Sequence, residues 1–238
     1  CSSFLLFNSC NYKIAKEQQP RLPKHFKKEY FMNTSTTGIN LIKKHESCSL
    51  SVYADANGYP TVGWGHLLSS SRTYTPNKAL SNADSKKELV LAGLSSTSSI
   101  TQSKADQLLT DDIAVAEGMV NTKNEEVYNK MSQNQFDALV SLTFNIPKAL
   151  FSDDMKTLLG NSRTYSDYGV PFSPSQLEEM AQKVTNAFCF TLANGERLRG
   201  LVDRRNDEMA LFCNGQKYSY NKIPYLKLEC SKKPTFVD

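Results

Sequence analysis

The chain has 238 residues, 39% of them hydrophobic, enough for one large domain or two small ones. No apolar run approaches the roughly 20 residues that span a bilayer, so no transmembrane helix is expected. The net charge of +4 is unevenly placed: residues 1–30 hold six Lys/Arg against two Asp/Glu, and the remainder balances at 22 against 22. A basic arm ahead of a neutral body reads either as a solvated arm or as one drawn to a polyanionic surface such as cell wall or membrane.

Six cysteines stand at positions 1, 10, 48, 189, 213 and 230. The even count, with three of them in the two tails, predicts disulfides and an oxidising compartment, either outside the cell or in a periplasm or lysosome-like vacuole. At least one bridge is expected to join a tail cysteine to the body. Six cysteines allow 15 pairings, and the sequence does not choose among them. Cys48 either braces the helix before it through a bridge or is a buried, inert thiol. Three histidines and no CxxC argue against a structural zinc site. A start at Cys1 without methionine fits either a processed N-terminus or a trimmed chain.

In chain order, residues 1–36 are irregular, with prolines and charges mixed in QQPRLPKHFKKEY. TTGINLIKKHE reads as a short helix. The stretch from there to His66 carries the only strand signals and is read as a hairpin. The helix TQSKADQLLTDDIAVAEGMV sets Ala105, Leu108, Leu109, Ile113 and Ala116 on one stripe. SQNQFDALVSLTFNI opens with Ser132 and Gln135 at capping-box spacing. SPSQLEEMAQKVTNAF opens with Ser173 and places Pro174 at the first helical position. NSRTYSDYGVPF reads as a long loop. Leu201, Val202, Met209, Leu211 and Phe212 mark a last helix, ended by Asn214-Gly215. The fold class is therefore α+β and mostly helical. Residues 1–36 form an N-terminal basic extension, 37–215 the catalytic body and 216–238 a C-terminal tail with little pattern.

The chemistry concentrates in HESCSLSVYADANGYPTVGWGH, from His45 to His66. Ile39, Ile42 and Glu46 fall at i, i+3 and i+7 on one helix face. A carboxylate on an apolar face loses solvation and favours its protonated form, as a general acid requires. The alternative is a helix-end glutamate that reaches solvent or meets an arginine. Asp55 begins DANG, where it suits the first position of a type I turn and stays solvated. A two-residue Asn-Gly loop would set Ala54 opposite Thr61 and turn Asp55 away; the longer DANG turn lets Asp55 and Thr61 address one space. Thr61 serves equally as an ordinary strand former. Two carboxylates under opposed pressures are the equipment of glycoside hydrolysis, although Glu and Asp nine apart are common by chance.

Glu46, Asp55 and Thr61, spaced E-x8-D-x5-T and followed by GWGH, resemble the phage-type lysozyme family, glycoside hydrolase family 24. GHLL and ITQSKADQLLTDDIAVAE are similar to its T-even branch. SQNQFDALVSLTFNI and GLVDRRNDEMALF are similar to its lambdoid branch. These four blocks come in family order over roughly residues 38–213. The resemblance implies a small α/β lobe and a larger helical lobe with a cleft between, joined by a long helix at residues 101–120. It implies a muramidase that cleaves the bond between N-acetylmuramic acid and N-acetylglucosamine in peptidoglycan. Glu46 would be the general acid, Asp55 the base holding the attacking water, and Thr61 its orienting partner. An inverting mechanism of this kind separates the carboxyls by roughly 6.5–9.5 Å. His66 would pair with Asp112. Arg204 or Arg205 would lie near the catalytic glutamate, unless the doublet is a solvated face. Leu67, Phe144 and Asn145 would line the sugar site, Phe144 serving equally as core.

Four departures stand beside the match. Ser47 replaces a family glycine, Trp64 fills the variable position of Gly-x-Gly-His and either stacks on sugar or packs, residues 69–100 are long, and both tails lie outside the family. No cofactor, metal, nucleic acid or stable membrane insertion is expected, and the chain is expected to be a monomer. Rival readings are a catalytically inactive peptidoglycan-binding protein, an enzyme on another glycan such as chitin, or a transglycosylase. A transglycosylase needs no water-activating base, so Asp55 favours hydrolysis.

Overall fold

The computed structural model of the chain describes residues 31–55, 59–68, 99–126, 131–166, 172–193 and 196–224. The basic arm up to residue 30, Cys1, Cys10, Cys230 and nearly all of the long 69–100 stretch lie outside the described residues. Among the described residues, no helix is long and apolar enough to cross a membrane. Among the described residues the architecture is α+β and mostly helical, with six α-helices and two small antiparallel sheets. The described residues divide into two compact units, the first drawn from 42–115 and the second from 31–41 and 116–224.

The first unit holds the end of helix α1 (Thr36–His45), then strands β1 (Ser49–Ala54), β2 (Pro60–Gly63) and β3 (His66–Leu67), and the first half of helix α2 (Gln102–Glu126). The strands form one antiparallel sheet in the order β1-β2-β3. Its apolar side, with Val62 and Leu68, packs on Ile100, Ala105 and Leu108 at the start of α2. The buried strand β2 and the stripe of α2 thus meet in one small core.

The second unit is helical. It holds α3 (Gln133–Asn145), a 3-10 turn (Pro147–Phe151), α4 (Asp153–Ser166), α5 (Pro174–Ala187) and α6 (Arg199–Cys213). Both expected capping boxes form, Ser132 with Gln135 and Ser173 with Gln176. Each is worth about 1 kcal/mol and fixes where its helix begins. Packing of α3 on α6 and of α4 on α5 builds the main core, with Phe188 set edge-on to Phe212 at 5.5 Å. Gly215 adopts a φ of 80° just past α6, a left-handed end that suits glycine. The start of α1 also belongs to this unit. Ser35 accepts from the Thr37 N–H, and buried Asp137 on α3 takes both the backbone N–H and the hydroxyl of Ser35. A Cβ on Gly38 would lie 2.6 Å from Thr34 Cγ2 and 2.9 Å from Asp137 Cβ, so only glycine fits beside this cap.

Three sequence expectations need correction. Strands are not confined to the opening stretch: β4 (Leu192–Ala193) and β5 (Glu196–Arg197) pair in the second unit. The loop expected from Asn161 begins as helix, because α4 runs on to Ser166. Residues after Gly215 dock on the helical unit by burial. Tyr218 is buried and its hydroxyl accepts from Gln135 Nε2 at 2.9 Å. Ile223 is 2% exposed, and Asn206 clamps its backbone N–H and C=O at 2.9 and 3.0 Å.

Candidate active site

Helix α1 ends by presenting Glu46. The Glu46 N–H still donates to the Ile42 carbonyl at 3.0 Å, so the residue is held by the helical ladder. Its side chain is buried, only 5% of the residue being exposed, as Ile42 is one turn before it. The chain then turns and enters β1 at Ser49. Cys48, in between, is a free thiol, so no bridge braces this point. Desolvation raises its thiol above the ordinary value, which lowers the share of thiolate.

The β1–β2 hairpin pairs Tyr53 with Thr61 and Ala54 with Pro60. The Asp55 N–H donates to the Tyr59 carbonyl at 2.8 Å, which carries the same register one step further. This excludes the two-residue Asn-Gly loop, which would pair Ala54 with Thr61. The DANG turn itself falls on residues 56–58, outside the described residues. Residues paired across strands share a face, as do residues two apart on one strand. Tyr53, Asp55 and Thr61 therefore lie on one face of the hairpin.

Each of the three is held differently. The Asp55 carboxylate accepts from the Tyr59 N–H at 2.8 Å, which fixes one of its oxygens. Thr61 is buried, and its hydroxyl donates to the Tyr59 carbonyl at 3.1 Å. That bond uses the one proton of Thr61, so the oxygen offers only lone pairs to anything else. Tyr53 is half-buried, and its hydroxyl makes no hydrogen bond among the described residues. Burial first, then the charges of Glu46, Asp55 and Cys48, push its phenol upward, so it remains a protonated donor. Sequence reasoning missed Tyr53. Its position two before Asp55 on a strand was the available signal.

The GWGH turn is set by its glycines. Gly63 and Gly65 have φ of 65° and 92°, both left-handed, and they reverse the chain so that Val62 pairs with His66. His66 Nδ1 then meets Asp112 Oδ2 on α2 at 2.9 Å. A carboxylate only accepts, so Nδ1 carries the N–H here. Trp64 packs against the small core and donates from Nε1 to Asp106 at 2.8 Å. Lys43 Nζ lies over the indole at 5.0 Å and contacts the same carboxylate at 2.7 Å. The Lys43 ammonium and the indole N–H hold the Asp106 carboxyl below its usual range. With Asp106 43% exposed, the ion pair contributes at most about 1 kcal/mol. Its main effect is to orient Trp64, which packs against the small core. Leu67, next to His66, is half-buried.

The remaining site candidates belong to the helical unit. Phe144 and Asn145 are buried near the end of α3. Asn145 Oδ1 accepts from Arg205 Nη2 at 3.0 Å. Arg204 and Arg205 are both 0% exposed, so the doublet is not a solvated face. Glu208 holds both. Its Oε1 accepts from Ser141 Oγ at 2.7 Å, Arg204 Nε at 3.1 Å and Arg205 Nη2 at 2.9 Å. Its Oε2 pairs with Arg205 Nε at 2.8 Å, an ion pair too bent for a hydrogen bond. Glu208 went unnoticed in the sequence, although i+4 and i+3 spacing from the two arginines was its signal.

Three comparisons with known proteins show what the chain is similar to. The family model for phage lysozyme matches residues 43–208. An endolysin of Lactococcus phage c2 is 30% identical over 188 residues; the match takes in 76% of this chain and 60% of that protein's length. An endolysin of Acyrthosiphon pisum secondary endosymbiont phage 1 is 30% identical over 183 residues, with 76% of this chain and 98% of that protein covered. Among solved structures, the muramidase domain of SpmX from Asticaccaulis excentricus is 26% identical, with 76% of this chain and 97% of that chain covered and a TM-score of 0.46.

Proposed function

The chain belongs to the phage lysozyme family, and from that premise we propose that it is a peptidoglycan hydrolase. The bond cut is the β-1,4 link between N-acetylmuramic acid and N-acetylglucosamine. The single observation that carries the reading is the hairpin register: Tyr53 opposite Thr61 puts Asp55 and Thr61 on one face, in the same unit as buried Glu46. Glu46 supplies the acid. Its proton passes to the glycosidic oxygen as the bond from C1 to that oxygen breaks. Asp55 takes a proton from water while the water oxygen bonds to C1. Thr61 accepts the other water hydrogen, since its own proton is already given to Tyr59. Attack from the side opposite the leaving oxygen inverts C1.

Leu67, Phe144 and Asn145 are proposed to contact the sugars, with His66, Asp112, Arg204 and Arg205 as support. The Arg204–Arg205–Glu208 cluster holds Asn145 in one orientation, which favours this role for Asn145. The reading is tested by mass spectrometry of digested bacterial walls. Reducing N-acetylmuramic acid ends are expected. Anhydro-sugars would replace the reading with a transglycosylase, and undigested wall with a binding protein.

An oxidising compartment also belongs to the proposal, with one bridge between a tail and the body. Among the described cysteines Cys48 and Cys213 are free thiols, which leaves buried Cys189 as the body cysteine for it. Burial pushes the Cys213 thiol up to about 12, so it is a poor partner for exchange. Peptide mapping without reduction is expected to find Cys189 joined to Cys1, Cys10 or Cys230. Six titratable thiols in freshly isolated protein would discard both the bridge and the compartment.

A further inference from the structure

Asp55 and Thr61 present only acceptors to their shared face. Asp55 is a carboxylate, and Thr61 has directed its hydrogen to the Tyr59 carbonyl. A saccharide laid on that face brings hydroxyl donors, which suit such a pair. It also brings acceptors: the ring oxygen, the glycosidic oxygen and the acetamido carbonyl. An acceptor facing only acceptors loses its hydrogen bond to water and gains none.

Tyr53 supplies the missing donor. It lies opposite Thr61 and two residues before Asp55, on the same face as both. It is half-buried, and its hydroxyl has no partner among the described residues. The titratable groups that act on it are Glu46, Cys48 and Asp55. None of these is a cation that would draw its proton off. The aromatic ring fixes the hydroxyl at the end of a stiff arm with two rotatable bonds, so little freedom is lost when it binds.

We propose that Tyr53 is a substrate-contacting residue of this site, its hydroxyl donating a hydrogen bond to an oxygen of the saccharide at the bond that is cut. The inference rests on the proposed function and deepens it. The contact adds to substrate binding and to discrimination. A glycan with no acceptor at that place leaves the phenol without a partner and is disfavoured.

The test separates binding from chemistry. The probe is a soluble tetrasaccharide of alternating N-acetylglucosamine and N-acetylmuramic acid. Its dissociation constant is measured with the Glu46→Gln protein, which is expected not to cut it, and with the Glu46→Gln, Tyr53→Phe double variant. Loss of one hydroxyl is expected to weaken binding roughly five- to tenfold. In the otherwise wild-type protein, Tyr53→Phe is expected to lower kcat/KM by at least about tenfold. Thermal unfolding should stay at the wild-type temperature, because the hydroxyl holds nothing among the described residues. Equal binding by the two proteins overturns the inference and leaves the proposed function standing. So does a Tyr53→Phe protein that melts early yet binds normally when folded. If neither protein binds the tetrasaccharide and the wild type does not cut it, the proposed function itself falls, and this inference with it.

Discussion

Glu46→Gln is expected to lose about 10²–10⁴-fold of the wall-lytic rate while folding normally. Glutamine keeps the length and shape of the side chain and can still make hydrogen bonds. It has no acidic proton to give to a leaving oxygen. Among the described residues the site offers no substitute placed to do so: Asp55 is tied to the hairpin as an acceptor, and the Tyr53 phenol is held far too weakly acidic by burial and by the charge of Asp55. Turbidity of bacterial walls reports the rate, and far-ultraviolet circular dichroism reports the fold. Substantial lysis by a folded Glu46→Gln protein would remove Glu46 from the role of acid.

The second large effect concerns stability. Glu208→Gln is expected to destabilise the protein by about 3–5 kcal/mol, because it removes the charge of the carboxylate that two buried arginines share. Glu208, Arg204 and Arg205 are each 0% exposed, so water cannot take over the lost interaction. Three donors converge on Oε1 alone. The amide would also turn an N–H₂ toward one of the guanidinium groups, setting donor against donor. Urea unfolding of the two proteins gives the difference, provided the slopes agree. A difference below about 1 kcal/mol would mean that the buried cluster is not held by charge pairing. Ser141→Ala removes only one neutral donor to the same carboxylate and serves as the mild comparison.

What the sequence carried openly was local chemistry. Serines 132 and 173 with glutamine three residues on mark helix starts, because a cap is satisfied within one turn. The Gly-x-Gly of GWGH marks a reversal, because two left-handed residues are needed there. The spacing of Ile39, Ile42 and Glu46 marks a buried glutamate, because the helical period puts Glu46 on the side of buried Ile42. The hidden parts depend on partners far along the chain. Tyr218 and Ile223 are single apolar residues without a period, and what docks them is an asparagine clamp and a glutamine on other helices. The β4–β5 pair has two residues to a strand, too short for alternation to register. Arg204 and Arg205 look like surface because charged residues are seldom buried unless paired, and their pairing needed Glu208, Ser141 and Asn145 together. Thr61 could be read either as a strand residue or as a water-holder, and in the structure it is a buried strand residue with its lone pairs left to offer.

The measurement that tests the central claim most directly follows the first sugar formed. Soluble peptidoglycan chains are digested in the spectrometer, and the anomeric proton of the new N-acetylmuramic acid end is recorded before it equilibrates. Water held by Asp55 and Thr61 opposite the leaving oxygen predicts that the α-anomer appears first, at a rate that Asp55→Asn abolishes. A β-anomer formed first, or α-anomer formed at the wild-type rate by Asp55→Asn, would contradict the water-holding role and the mechanism built on it.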